Sequence, residues 1–177
     1  VMNFIFECLT SWLSPVLCFT AEEAWLARYP NHEGSIHAEL FPSLPFEWNS
    51  PELAQKYEGL REVRKVMTGA LEVARASKQI GSSLQAQVEV FLDPSYLPSL
   101  EGVDLAELSI TSQADVVGTH TLPENGFQLE DVPNVVVLVS PAFGEKCARC
   151  WKVLPEVGER KDFPGLCGRC ADVVGQS

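Results

Sequence analysis

The sequence predicts a multi-domain α+β protein, with a helical bundle fragment, a small α/β subdomain and a C-terminal module built on four cysteines. Three observations predict it. Apolar residues recur every three to four positions through most of the first 80 residues, the period of helices that bury one face. Between residues 85 and 139 the pattern changes to strict alternation and then to an unbroken apolar run, both strand signals. Near the end stand two C-x-x-C pairs, Cys147/Cys150 and Cys167/Cys170, sixteen residues apart. The 177 residues divide on these patterns into 1–49, 50–82, 83–142 and 143–177.

Residues 2–17 read as a helix whose apolar face is Ile5, Leu9, Trp12 and Val16, kinked or ended by Pro15. Thr20 and Glu23 form a capping box that opens a second helix running through Trp25 to about Arg28 and closed by Pro30. Residues 31–49 carry Asn31, Gly34, Pro42, Pro45 and Asn49 and read as an extended connection, with Trp48 and two phenylalanines pinned onto a neighbour. Ser50-Pro51 then starts a long helix, Ser as N-cap and Pro in the first turn. Its apolar stripe is Leu53, Tyr57, Leu60, Val63, Met67, Ala70 and Ala74, and Gly81 offers a stop after Gln79. Arg61, Arg64, Lys65 and Arg75 lie beside that stripe. They read equally as a solvated face with helical ion pairs or as a phosphate-facing stripe.

Residues 85–92 (QAQVEVFL) alternate and predict a strand, and Pro94 to Leu100 a short helix. Leu108 to Thr111, Phe127 to Leu129 and Val135 to Val139 are further strand candidates. The last is apolar throughout and so belongs at the centre of its sheet.

The net charge of −11 argues against a general nucleic-acid binder, but the charge is unevenly placed. Residues 81–142 carry nine acids and no Lys or Arg, whereas residues 51–80 and 143–177 are net positive. A polyanion must meet one of those two segments. Residues 1–19 are apolar but hold Asn3, Glu7 and Pro15 and lack a basic start, so they predict neither a signal peptide nor a membrane span. The abrupt apolar beginning points to a chain that starts inside a larger protein, and the absence of secretory features to the cytoplasm. Cys8 and Cys18 read as buried free thiols.

C-x2-C-x16-C-x2-C is the spacing of a four-thiolate zinc site, with Cys147, Cys150, Cys167 and Cys170 as ligands of one structural ion. A module of some thirty residues needs such a clamp, because chains below about 40 residues bury too little apolar surface to fold alone. Two disulfides in an oxidising compartment, or a redox C-x-x-C, are the competing readings. No glycine-rich phosphate loop, G-x-S-x-G, H-E-x-x-H or G-x-G-x-x-G occurs, and His32, His37 and His120 are isolated, so the stretch reads as non-catalytic.

Three stretches together resemble the C-terminal region of the bacterial-type isoleucyl-tRNA synthetase family. Leu13 to Trp25 (LSPVLCFTAEEAW) with Ser35-Ile36-His37 is similar to the end of the helical anticodon-binding domain, a form that leucyl and valyl relatives share. Val63 to Ala86 is similar to the helix and turn entering that family's junction region. Lys146 to Gly158 (KCARCWKVLPEVG) with Pro164 to Asp172 (PGLCGRCAD) matches its zinc finger nearly residue for residue, while residues 93–131 match weakly. The resemblance implies an isoleucine–tRNA ligase that uses ATP and Mg2+ in a catalytic domain whose His-x-Gly-His and Lys-Met-Ser-Lys-Ser signatures do not occur here. It implies a fragment that binds the anticodon end of isoleucine tRNA, beside the rest of the same polypeptide, with no membrane or DNA partner.

Arg149, Trp151 and Lys152, next to the first cysteine pair, are the residues for RNA contact, since unstacked anticodon bases can stack on an indole or a guanidinium plane. Arg64, Lys65 and Arg75 form a second set for the tRNA backbone. The competing reading of Trp151 is a cover over the cysteine cluster, with Arg149 and Arg169 offsetting the thiolate charge. The same finger type resembles that of the formamidopyrimidine-DNA glycosylase family, but the chain begins Val1-Met2-Asn3 and offers no N-terminal proline nucleophile. A structural or protein-interaction module, docked onto the parent's own body, is the third reading.

Overall fold

A computed structural model describes residues 1–31 and 33–176; His32 lies outside the described residues. The chain forms two compact units, Val1–Ser50 and Pro51–Ser177.

In the first unit, α1 (Met2–Leu13) and α2 (Cys18–Arg28) pack together. Helix α1 ends two residues before Pro15; Ser14 between them still has helical backbone (φ −56°, ψ −34°) and donates to Thr10 O, and Pro15, with no N–H to give, cannot extend the ladder. The inward face of α1 is not the predicted apolar stripe. Cys8, Thr10 and Ser11 are buried, whereas Ile5, Leu9, Trp12 and Val16 are exposed, so small residues let α1 approach its neighbours closely. The predicted capping box is also corrected. Helix α2 begins at Cys18 with Leu17 as N-cap, and Thr20 lies inside its first turn. Glu22 instead holds the following loop, accepting from Ser35 Oγ (2.8 Å) and Ile36 N (3.0 Å) and so seating Ile36 in the core. The connection contains two 3-10 turns, Ile36–Ala38 and Phe46–Trp48. Trp48 stacks edge-on against Phe4 at 4.9 Å as expected of a pinned ring, but Phe41 and Phe46 are exposed. Cys18 is likewise exposed rather than buried.

The second unit is organised by α3 (Pro51–Ala76) lying across a four-stranded sheet. The strands are β1 (Ala86–Leu92), β2 (Gln113–Gly118), β3 (Phe127–Leu129) and β4 (Val132–Pro141), in the order β2-β1-β4-β3. Strand β1 runs parallel to β2 and antiparallel to β4, so β4 is central as its apolar run predicts. The alternation in β1 puts Ala86, Val88, Val90 and Leu92 inward. Val88, Val90 and Leu92 meet Leu60, Val63, Val66, Met67 and Ala70 of α3 and Val135 and Val137 of β4 in one core. Gly69 allows the close approach: a Cβ there would lie 2.6 Å from Phe127 Cε1. Leu53 and Tyr57 of the predicted stripe are exposed, because the sheet is met only from Leu60 onward.

Helix α3 stops at Ala76, not Gln79, and its terminator is Lys78 rather than Gly81. Lys78 adopts φ 60°, its N–H bonds to Arg75 O (3.0 Å) and the next N–H, of Gln79, to Ala74 O (2.9 Å). This is the paired closure of a left-handed helix cap, made by lysine where glycine is usual. Between β1 and β2 the chain forms a 3-10 turn (Pro94–Tyr96), α4 (Leu97–Leu100) and α5 (Leu105–Ser109). The strand expected at Leu108 to Thr111 is therefore not formed: Leu108 and Ser109 end α5, and Ile110 and Thr111 lie in the turn after it. Asp104 caps α5, accepting from Ala106 N (2.8 Å) and Glu107 N (3.1 Å), and Ile110 ends it at φ 57°. The true strand follows at β2, a sheet edge with little buried surface.

The tail forms a ribbon of β5 (Glu145–Lys146) and β6 (Val153–Leu154), then α6 (Gly168–Gly175). Among the described residues no helix is long and apolar enough to cross a membrane.

Candidate metal centre and nucleic-acid interface

The four paired cysteines converge. Their Sγ atoms all lie within 4.8 Å of one another, and Cys147, Cys167 and Cys170 are buried. Local backbone chemistry brings them there. The first pair sits on a knuckle closed by Trp151 N–H to Cys147 O and Cys147 N–H to Lys152 O, each 2.9 Å. The second pair straddles the start of α6, with Cys167 as its N-cap and Cys170 in its first turn. Glu156 Oε1 accepts from Gly168 N (3.0 Å) at the same helix end, and Ala148 N donates to Gly165 O (2.9 Å), tying the two halves together.

The cluster fits a tetrahedral ion. Four thiolates about 2.3 Å from one zinc stand roughly 3.8 Å apart, and Cys150 Sγ and Cys167 Sγ are separated by 3.7 Å. Disulfide pairing would need about 2.05 Å, and all six cysteines are free. Burial opposes ionisation of Cys147, but N–H groups of Cys150, Cys167 and Arg149 outweigh it and bring its thiol down to about 6. Burial pushes Cys150 up, and it drives Cys167 up to about 12 with help from the neighbouring sulfurs. Crowded sulfurs of this kind ionise together only around a cation. The module's own core is small: Val157, Leu154 and Leu166 around the sulfurs.

The residues around the cluster have different situations. Trp151 is largely exposed. It has φ 67° and 59% of its surface exposed, and Lys146 Nζ lies 5.1 Å from its ring centroid, a cation–π contact. Arg149 donates to Cys170 Sγ (3.7 Å), as charge offset requires, and is otherwise exposed. Lys152 turns back to the sheet subdomain, where its Nζ lies 2.9 Å from Glu107 Oε1 with 15% of the side chain exposed. Arg169 reaches the same oxygen at 3.1 Å. In the second set Arg64 Nε donates to Leu108 O (3.2 Å), Lys65 pairs with Asp131, and Arg75 pairs with Glu72 (2.8 Å) and donates to Ser83 Oγ (3.0 Å). Arg64, Lys152 and Arg169 thus converge on consecutive residues of α5. Sequence reasoning missed Lys146, Glu107 and Ser112. Only the proximity of Lys146 to Cys147 offered a signal. His37 Nε2 lies 3.1 Å from Cys18 O and His120 Nδ1 3.1 Å from Asp93 Oδ2, and both residues are exposed.

A family model described as the anticodon-binding domain of tRNA ligase matches residues 1–90, and one described as the zinc finger found in FPG and IleRS matches residues 144–173. The chain therefore belongs to the family of tRNA-ligase anticodon-binding domains, extended by a four-cysteine finger. More particularly, it is similar throughout to isoleucine–tRNA ligases. It is 48% identical over 172 residues to that of Agrobacterium fabrum, covering 97% of this chain and 18% of the relative. Against the Brucella abortus protein identity is 50% over 168 residues, 94% of this chain and 17% of the relative. Against that of Gluconobacter oxydans it is 45% over 178 residues, 98% and 17%. The chain spans less than a fifth of the length of these relatives.

Proposed function

We propose that this chain is the anticodon-end tRNA-binding region of an isoleucine–tRNA ligase. In this reading Cys147, Cys150, Cys167 and Cys170 hold one zinc ion in a closed shell of four thiolates, which supplies folding free energy and leaves no position for a reacting water. Arg149 offsets the charge of that shell, and Trp151 presents its indole to an unstacked anticodon base. Arg64, Lys65 and Arg75 face the tRNA backbone. The whole protein joins isoleucine to its tRNA in the cytoplasm with ATP and Mg2+, in a catalytic domain outside this chain.

The observation that carries the reading is the exposed Trp151, held at positive φ on the knuckle next to Cys150. A solvent-facing indole beside Arg149 and Lys146 is the platform that single-stranded bases stack on. A second reading, a finger that serves only to dock on its own body, draws on the pairing of Lys152 and Arg169 with Glu107.

Equilibrium binding of the zinc-loaded chain to an isoleucine anticodon stem-loop separates the two. Stacking is worth about 1–3 kcal/mol per base, so Trp151→Ala is expected to weaken binding at least about fivefold with zinc content unchanged. Equal affinity for variant and wild type refutes the RNA role of Trp151.

A further inference from the structure

The finger and the sheet subdomain have separate apolar cores. Cys147, Cys150, Cys167, Cys170, Val157, Leu154 and Leu166 form one cluster, and none of them belongs to the cluster between α3 and the sheet. What joins them is polar and lies on one corner, where α5 leads into β2. Glu107 Oε1 receives both Lys152 Nζ (2.9 Å) and Arg169 NH1 (3.1 Å), one from each half of the finger. Ser112, buried at the start of β2, is a relay: its hydroxyl donates to Leu84 O (2.6 Å) and accepts from Val153 N (2.6 Å). A cleft of about 250 Å³ lies at the same corner, lined by Glu107, Ser112, Lys152, Leu154 and Arg169 among others.

Trp151 sits between two anchors. On one side its N–H is held to Cys147 O, within the finger. On the other, the next two residues, Lys152 and Val153, are the ones held by Glu107 and Ser112. The direction of the indole relative to the sheet subdomain is therefore set by those two contacts and by Arg169.

We propose that Glu107 and Ser112 are positioning residues for RNA binding: they latch the four-cysteine finger onto the α5–β2 corner and thereby fix where Trp151 and Arg149 point. This rests on the RNA reading of Trp151 and adds to it a role for an acid that touches no RNA. The sign of its effect is distinctive. An acid beside a polyanion site repels it, so charge alone predicts that Glu107→Gln binds tRNA more tightly. The latch predicts weaker binding, because the finger then samples orientations in which the platform is misplaced.

The test uses the zinc-loaded full chain and isoleucine tRNA. Glu107→Gln and Ser112→Ala are expected to keep their zinc, to speed amide hydrogen exchange at Val153, and each to weaken binding by roughly fivefold, the scale of one or two lost polar contacts. In a Trp151→Ala background Glu107→Gln should cost less affinity than it does alone, since only Arg149 is then left to misplace. Tighter binding by Glu107→Gln, or an equal loss with and without Trp151, overturns the proposal. If Trp151→Ala alone leaves affinity unchanged, the RNA reading itself falls and the positioning role with it. Amide exchange at Val153 then still reports whether the latch exists.

Discussion

Gly144 is where one methyl group tests the finger's geometry. It stands at φ 120°, a backbone conformation that L-residues rarely adopt, and its α-carbon lies against strand β6. A Cβ added there falls inside 3.0 Å of the Leu154 carbonyl and of Pro155 N, all of it main chain that cannot rotate away. The two contributions are the strained backbone, about 1–3 kcal/mol, and overpacking, about 1–3 kcal/mol. Gly144→Ala should therefore cost about 3 kcal/mol. Because the finger's folding and its metal binding are one equilibrium, the loss appears as zinc affinity weakened roughly a hundredfold. Competition with a chromophoric chelator measures it. Gly102→Ala is the control: it also has positive φ (72°), but nothing lies within 4 Å of the new Cβ. It should cost about 1 kcal/mol of strain and leave zinc affinity unchanged. Wild-type affinity in Gly144→Ala would refute both the close approach of Gly144 to β6 and the coupling of that ribbon to the metal.

Other perturbations probe the second unit. Leu92→Ala empties a fully buried position between α3 and the sheet and should lower urea stability by about 2–5 kcal/mol; a change within experimental error would mean that the helix does not cover β1. Lys78→Gly relieves a left-handed lysine and should raise stability by about 1 kcal/mol, read from the same denaturation midpoint, whereas destabilisation would remove the proposed helix closure. Burial and a 2.7 Å hydrogen bond to Glu62 push the Tyr96 phenol up to about 12 from 10.0. A raised pKa stabilises the neutral form, so its contribution is intact below pH 10 and is lost as pH rises towards 12. Tyr29, which donates to Glu7 (2.7 Å), is also raised, so ultraviolet titration of Tyr29→Phe should show a late tyrosine phase that the further change Tyr96→Phe abolishes, and persistence of that phase in the double variant would contradict the assignment.

The elements with local signals were legible in the sequence. The ligand spacing of the cysteines, the apolar run of β4, the alternation of β1 and the Ser50-Pro51 start of α3 each follow from neighbours in the chain. The misses depend on partners far away. Leu108 to Thr111 looks like a strand by composition, but the Asp104 cap starts α5, which takes Leu108 and Ser109 and ends in the left-handed Ile110. Strand β2 is half polar and is defined only by pairing with β1, 26 residues earlier at each register position (Gln87 with Gln113). The face that α1 buries carries little apolar signal, because its buried residues are Cys8, Thr10 and Ser11. For the candidate site, residues next to the cysteines were found, whereas Glu107 and Ser112 were not. Their partners lie 45 and 41 residues away, and a lone acid in a segment with nine acids carries no signal.

Fluorescence anisotropy of the zinc-loaded chain with isoleucine tRNA, a non-cognate tRNA and a DNA duplex carrying an abasic site tests the central claim most directly. The account predicts salt-sensitive binding that favours isoleucine tRNA and weakens in Trp151→Ala. Preference for the DNA, or equal affinity for both tRNAs that does not depend on Trp151, would contradict it.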